Sequence, residues 1–312
     1  MKVAVLGTGF GAEHAQIYER QTNVEQVIVW GRNPEKLEKL KNDGKVCVTT
    51  NMEDIWQDDS IDLVDVCLPN HLHREMAIKA MESGKNVYIE TPIAETMEDA
   101  KQILATAQKT GKKAFVNLFM RFEYPYDYLY QVKQKRELGE LKALYVKRDT
   151  PPWWGNLDPH EIGIQLMIHD VDFICRMLGA PDEIKTSFVQ VRKNESIVSA
   201  LMQYQNAYAQ IQASSAMPGA HPFSLGYEAI FEKGTLRFYE DGYENNRTET
   251  KLSLFTANDR IVVPIQDSYG NEDEIKHVLA CCEQNLPIQN SAFDAALALE
   301  TVLRMNESMH LA

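Results

Sequence analysis

Gly7-Thr8-Gly9-Phe10-Gly11-Ala12 follows the apolar run M-K-V-A-V-L and precedes a helical stretch, Glu13 to Arg20. This G-x-G-x-x-A spacing suits a turn that cradles phosphate. Gly7 permits the tight turn. Gly9 puts no side chain between the backbone and a pyrophosphate. Ala12, in the third small position, lets the helix lie close to the strand. Amides at the helix start then point at the anion, helped by the helix dipole. Strand, glycine turn and helix in that order read as a dinucleotide site. A site preferring NAD usually ends its second strand with Asp or Glu, which bonds the ribose hydroxyls. Here that place reads Trp30-Gly31-Arg32-Asn33. No carboxylate repels a 2′-phosphate there, and Arg32 can grip one with help from Asn33 and Lys36. Trp30 or Arg32 can also stack on the adenine. The expectation is NADP over NAD.

A second group could move protons. Glu161, Gln165 and His169 are spaced by four, so they share one face of a helix. Histidine exchanges a proton near neutral pH, and a hydride transfer needs one such group for the hydroxyl proton. Taken alone, His169 reads more readily as a packed helix histidine. Tyr124, Tyr126 and His160 are further donors, with packing the plainer reading. Asp170 and Asp172 read as structural, His14 as a helix-surface residue, and His71 as exposed or in reach of a cofactor. Trp153-Trp154 follows Pro151-Pro152 in a loop, where a buried anchor and an aromatic ligand wall are equally good readings.

The elements that must position these residues change rhythm half-way. Strand-like runs at Val24–Trp30, Val46–Val48, Ile61–Leu68, Asn86–Glu90 and Lys113–Leu118 alternate with helical ones. Asn33-Pro34-Glu35 starts one helix, Asn51 or Thr50 caps another, and a third covers Asn70 to Ser83. A fourth runs from the capping box at Thr96 to Gly111. This alternation predicts a parallel sheet covered on both faces, a dinucleotide-binding domain over residues 1–119. Residues 120–312 predict an α+β domain. Helices are expected at Tyr124–Glu137, Asp158–Leu178, Glu272–Gln284 and Ala292–Glu307, around a largely antiparallel open sheet running from Leu141 to Val263. A sheet face without helices calls for a partner, which favours a homo-oligomer formed through that sheet.

The bulk numbers exclude several classes. The chain has 312 residues, 44% hydrophobic and 25% charged, with a net charge of -13. That acidity disfavours nucleic acid and anionic membrane surfaces. No apolar run approaches the ~18 residues that span a bilayer, and the N-terminus is a core strand rather than a signal peptide. Cys47, Cys67, Cys175, Cys281 and Cys282 have neither metal-ligand spacing nor a paired pattern, so reduced thiols in a cytoplasmic protein with no metal are expected.

The chain resembles the Gfo/Idh/MocA family, that of glucose-fructose oxidoreductase and inositol dehydrogenase, over nearly its whole length. V-D-V-C-L-P-N-H-L-H resembles the family's run into its P-N-x-x-H turn, and A-M-E-S-G-K-N-V-Y-I-E-T-P its stretch ending in E-K-P. Met120-Arg121-Phe122, Leu138-Gly139-Glu140 and His169-Asp170-Val171-Asp172 before Leu178-Gly179 fall where the family has similar motifs. The resemblance implies that Leu68, Pro69, Asn70 and His73 line the cofactor after the fourth strand. Glu90 and Pro92 flank it after the fifth, Asn117 and Arg121 lie beyond the sixth, and Trp153 or Trp154 comes near the nicotinamide. It implies hydride transfer with a sugar or polyol substrate, whose C–H faces would suit the Trp pair. The family's Lys in E-K-P is Thr91 here, and its Asp four residues before the His is Gln165. Neither carries a charge, so His169 is left, and the resemblance shifts it toward an acid–base role, with Thr91 and Gln165 orienting substrate. Two alternatives follow from those departures: NAD-assisted cleavage of a glycoside, or a non-catalytic sensor of NAD(P) or a sugar.

Overall fold

The computed structural model describes residues 1–41, 44–152, 157–244, 247–284 and 286–311. The expected substrate-wall residues Trp153 and Trp154 lie outside them. Two compact units form: Met1–Phe122 with Tyr269–Ala296, and Glu123–Ser268 with Leu297–Ala312. In chain order the first elements are β1 (Lys2–Leu6), α1 (Phe10–Arg20), β2 (Gln26–Trp30), α2 (Pro34–Glu38), β3 (Val46–Thr49) and α3 (Glu53–Trp56). They are followed by β4 (Leu63–Val66), α4 (His73–Glu82), β5 (Asn86–Ile89), α5 (Met97–Thr110) and β6 (Ala114–Val116). Then come α6 (Tyr124–Lys135), β7 (Leu141–Asp149), α7 (Ile168–Leu178), β8 (Glu183–Arg192), β9 (Glu195–Tyr204) and β10 (Ala207–Ser214). The chain closes with β11 (Phe223–Phe231), β12 (Gly234–Gly242), β13 (Thr248–Thr256), β14 (Arg260–Val263), α8 (Gly270–Gln284), α9 (Ala292–Glu307) and β15 (Met309–Leu311).

The first unit holds a parallel six-stranded sheet in the order β3-β2-β1-β4-β5-β6. Val3, Ala4, Val5 and Leu6 are all inaccessible, the continuous apolar run of a strand covered on both faces. The order runs outward from β1 in both directions. A switch point therefore lies at the carboxyl ends of β1 and β4, where such sheets leave a crevice. Local chemistry sets the helix ends. Asn33 Oδ1 accepts the Lys36 amide at 3.1 Å to cap α2. Thr96 Oγ1 accepts the Asp99 amide at 3.1 Å to cap α5, which stops at Gly111 in the left-handed conformation.

The segment Tyr269–Ala296 belongs to this first unit, not to the second domain expected over residues 120–312. The reason lies in α8. Its Ile275, Val278, Leu279 and Cys281 join the core around Val3, Val5 and Tyr88. Its Glu274 is inaccessible and serves as a polar hub, accepting hydrogen bonds from Tyr88 Oη at 2.9 Å, the Leu118 amide at 2.8 Å and Asn290 Nδ2 at 2.7 Å.

The second unit carries a nine-stranded sheet in the order β14-β13-β12-β11-β7-β10-β9-β8-β15. It is antiparallel except where β7 meets β10 and β8 meets β15. Along β9, Val198, Ala200 and Met202 are inaccessible, whereas Ile197, Ser199 and Leu201 between them are half-buried: one face forms a core and the other does not. Tyr126 is inaccessible and packs edge-on against Phe173, Tyr227 and Phe238, so it is a core aromatic and not a proton donor. The helix expected over Asp158–Leu178 is interrupted by a π-helical turn, Gly163–Met167, before α7. Such turns are rare and gather at functional sites. β15, which follows α9 directly, had no separate signal.

Candidate functional site

The glycine turn sits at the carboxyl end of β1. Gly7 has φ +121°, and a Cβ there would meet the Cys67 carbonyl oxygen. The close helix–strand contact belongs to Gly11, correcting the expectation for Ala12. A Cβ on Gly11 would lie 2.9 Å from Val5 Cγ1 and 3.2 Å from Cys67 Cβ, while Ala12 is half-buried. Helix α1 begins at Gly9 with no side-chain cap, and Gly9 and Phe10 are exposed. No side chain caps the first amides of this 11-residue helix, which fits a bound pyrophosphate.

Beside this turn, at the end of β2, Arg32 is exposed. Asn33 is committed to capping α2 through its Oδ1, and Trp30 is half-buried with Nε1 donating to the Thr50 carbonyl at 3.1 Å. After β4, Leu68 and Asn70 are half-buried, and Pro69 and His71 are exposed. His73 does not line this edge as expected. It is inaccessible, with Nε2 2.7 Å from the Leu68 carbonyl and Nδ1 2.8 Å from the Pro92 carbonyl. Burial holds its imidazole below the usual histidine pKa. It braces the two loops from beneath.

After β5, Glu90 accepts the Thr91 amide at 3.2 Å and Asn117 Nδ2 at 3.0 Å. Thr91 Oγ1 donates to the Asn117 carbonyl, so the hydroxyl hydrogen expected for substrate is engaged. Pro92 is buried. Arg121 is buried too, its Nη1 2.6 Å from the Gln289 carbonyl and 3.3 Å from Asp294. It anchors the segment that follows α8 instead of reaching outward.

Behind this edge lies a charged cluster whose key member was read as a surface residue. His14 is 1% exposed. Its Nδ1 is 2.9 Å from Asp65 Oδ2 and its Nε2 is 3.3 Å from Glu90 Oε1. The ring stacks on Tyr88 at 5.8 Å. Burial opposes the charge, but Asp65, then Glu90 and Glu274, raise the His14 pKa to about 9. His14, Cys67 and Glu90 bring three metal-type donor atoms within 4.8 Å. A metal would need a thiolate and a bare imidazole nitrogen. Burial and the nearby Asp65 hold the thiol well above its ordinary pKa, and each ring nitrogen faces a carboxylate, so the group is an ion cluster.

In the second unit, Gln165 sits in the π-helical turn, is exposed, and donates from Nε2 to Glu161 Oε2 at 2.7 Å. His169 is half-buried in the first turn of α7. Burial, then the Arg148 guanidinium, push its pKa down to about 3. Arg148 is itself buried and bonds Asp170 through Nε at 2.5 Å and Nη2 at 3.0 Å, giving Asp170 the structural part expected of it. Glu123, half-buried at the start of α6, has its carboxyl pushed up to about 7 by burial and then by Glu240, against the pull of Arg148. No sequence pattern singles out that group. Tyr124 is half-buried against Tyr128, and His160 is exposed near Phe188.

Residues 1–118 match the model of an oxidoreductase family with an NAD-binding Rossmann fold, Gfo/Idh/MocA. A 2,7-anhydro-N-acetylneuraminate hydratase of Mediterraneibacter gnavus is 28% identical over 192 residues, 58% of this chain and 50% of that protein. The chain spans about half the length of the first curated relatives it matches. A scyllo-inositol 2-dehydrogenase (NAD(+)) of Bacillus subtilis is 27% identical over 275 residues, 82% of this chain and 77% of that enzyme. The solved UDP-N-acetylglucosamine 3-dehydrogenase of Acidithiobacillus ferrooxidans superposes with a TM-score of 0.85 over 99% of this chain and 97% of that one, at 20% identity, a likeness of fold. Its first 118 residues thus match the NAD-binding Rossmann model of the Gfo/Idh/MocA oxidoreductases, and its parallel sheet, glycine turn and large, mostly antiparallel second sheet are similar in fold to solved oxidoreductases.

Proposed function

We propose that the protein is an NAD(P)-dependent oxidoreductase that moves a hydride between nicotinamide and a secondary alcohol, or its carbonyl, on a sugar or cyclic polyol. The observation that carries this reading is the carboxyl edge of the six-stranded sheet. There an uncapped helix start, the Arg32 turn and the Glu90–Thr91–Asn117 loop system all come from strand ends that flank one switch point. Bound there, the coenzyme supplies the hydride chemistry. The α1 amides hold its pyrophosphate, and Leu68, Pro69 and Asn70 wall its nicotinamide half. His169 exchanges the hydroxyl proton. Held neutral, it serves as an acceptor, which suits oxidation of the alcohol. Gln165 keeps its amide oxygen for substrate while its nitrogen serves Glu161.

NADP is the preferred coenzyme in this reading, since Arg32 is exposed with no carboxylate beside it at the end of β2. Titration by nucleotide fluorescence tests it. NADPH should bind more tightly than NADH, and Arg32→Ala should weaken NADPH by about tenfold, ~1.4 kcal/mol, while sparing NADH. Tighter NADH binding to the wild type would refute it. A panel of sugars and inositols, followed by absorbance of the reduced nicotinamide, then brackets the substrate. One relative is named a hydratase, a reaction without net oxidation, and Thr91 stands where the family resemblance implies a lysine. Coenzyme retained through purification, with product formed but no absorbance change, would favour that second class.

The second sheet leaves Val189, Val191, Tyr239, Ile261 and Val262 exposed. We read it as the seat of a second copy. Light scattering should give a multiple of 35.6 kDa, and Tyr239→Asp with Val262→Asp should shift the protein to monomer. A wild-type monomer at all concentrations would rule the interface out. Among the described residues no helix is long and apolar enough to cross a membrane.

A further inference from the structure

Asp65 poses a physical problem. It lies in the middle of β4, opposite Val5 on one side and Tyr88 on the other, and is 0% exposed. A lone carboxylate in the centre of a parallel sheet costs several kcal/mol, unless it is paired and hydrogen-bonded. Its partners are His14 Nδ1 at 2.9 Å and the Cys67 thiol, which donates to Oδ1 at 3.2 Å. The other nitrogen of the same ring faces Glu90 Oε1 at 3.3 Å. Ionised carboxylates only accept hydrogen bonds, so a ring between two of them carries a hydrogen on both nitrogens. Glu90 in turn takes the Thr91 amide and Asn117 Nδ2, the two groups that shape the loops after β5 and β6.

We propose that His14 is a positioning residue of the coenzyme site: a buried imidazolium that ties α1 to β4 through Asp65 and fixes the Glu90 carboxylate, and with it the Thr91 and Asn117 loops. The inference rests on the reading of that edge as the coenzyme site. The helix that presents its first amides at the glycine turn is thereby joined, one turn further along, to the loops on the other side of the crevice. Without the imidazolium, Asp65 and Glu90 share a low-dielectric interior with no cation between them, and Glu90 is free to swing from Thr91 and Asn117. The groups that face His14 are Asp65, Cys67, Glu90 and Tyr88 on the sheet side and Glu274 on α8.

The sign is fixed by the pKa being raised. The stabilisation is complete below the unfolded histidine pKa of about 6.5 and is lost as pH rises through about 9. Glu274, held up to about 8 by burial, titrates in the same window, so the test compares variants rather than pH values alone. Dissociation constants for NADPH and NADH are measured from pH 6 to 10 for the wild type, His14→Gln and Glu90→Gln. Imidazole NMR of the wild type reads the His14 titration without any substitution. His14→Gln should bind the preferred coenzyme about tenfold more weakly at pH 7, ~1.4 kcal/mol, with its far-UV circular dichroism unchanged. The wild-type constant should rise above pH 8 and converge on that of His14→Gln near pH 10, and Glu90→Gln should also flatten the profile. If the wild type binds coenzyme and His14→Gln binds it equally well, or both follow one pH profile, the positioning role is overturned. So too if the NMR titration lies near 6.5. If the wild type binds neither coenzyme, the coenzyme-site reading itself fails and takes the inference with it.

Discussion

Asp170→Ala is expected to remove about 3–5 kcal/mol of stability, the scale of breaking a buried ion pair from one side. Arg148 is 4% exposed and Asp170 0%, and two parallel hydrogen bonds join them at 2.5 and 3.0 Å. A guanidinium cannot shed its proton, so the variant must keep a buried cation without its bidentate carboxylate, let in water or open the packing between α7 and β7. Against a total stability of about 5–15 kcal/mol this is about a fifth or more. Urea unfolding followed by fluorescence and by circular dichroism measures it. A loss below about 1 kcal/mol would mean that the other groups around Arg148 suffice to hold it and that the pair is not structural. Asp170→Asn should cost less, because it keeps one acceptor for the fork while losing the charge. The effect reaches beyond stability: burial first, and the Arg148 charge second, depress His169, so the charge balance at this pair bears on the protonation of the residue beside it.

His169→Ala is the second large expectation. Proton transfer by a positioned side chain contributes about 10²–10⁴ to a rate, and a base with a pKa far below the working pH sits at the weak end of that range. The variant should therefore lose about 10² in kcat with the coenzyme dissociation constant unchanged, since the residues read as holding the coenzyme all lie in the first unit. The wild-type rate of alcohol oxidation should show no inflection at the ordinary histidine value of about 6.5. Such an inflection, abolished in the variant, would mean that the imidazole titrates normally during turnover. An unchanged kcat in His169→Ala would end its assignment, and Glu123, with its carboxyl near 7, would become the residue to replace next.

Local order was legible in the residues because local rules make it. The glycine turn, the Asn33 and Thr96 caps, the stop at Gly111 and helix α9 over Ala292–Glu307 each depend on neighbours within a few positions. Strands buried on both faces announce themselves as apolar runs, and the alternation of strand and helix left little choice but a parallel sheet. The absence of a carboxylate at Trp30-Gly31-Arg32-Asn33 and the loss of charge at Thr91 and Gln165 are likewise facts of composition at a known place.

Tertiary structure decided whatever depends on partners far along the chain. His14 has the spacing of a surface helix residue, and only the arrival of Asp65 and Glu90, 51 and 76 positions on, makes it a buried cation. His73 looked like a ligand residue until its two nitrogens met the Leu68 and Pro92 carbonyls. The return of α8 to the first unit turns on Glu274, whose hydrogen bonds reach back 186 positions to Tyr88. Periodicity records which face of an element is apolar; it does not record which distant charge will be paired there. Burial of a charge is decided jointly by both partners, so neither segment read by itself could show it.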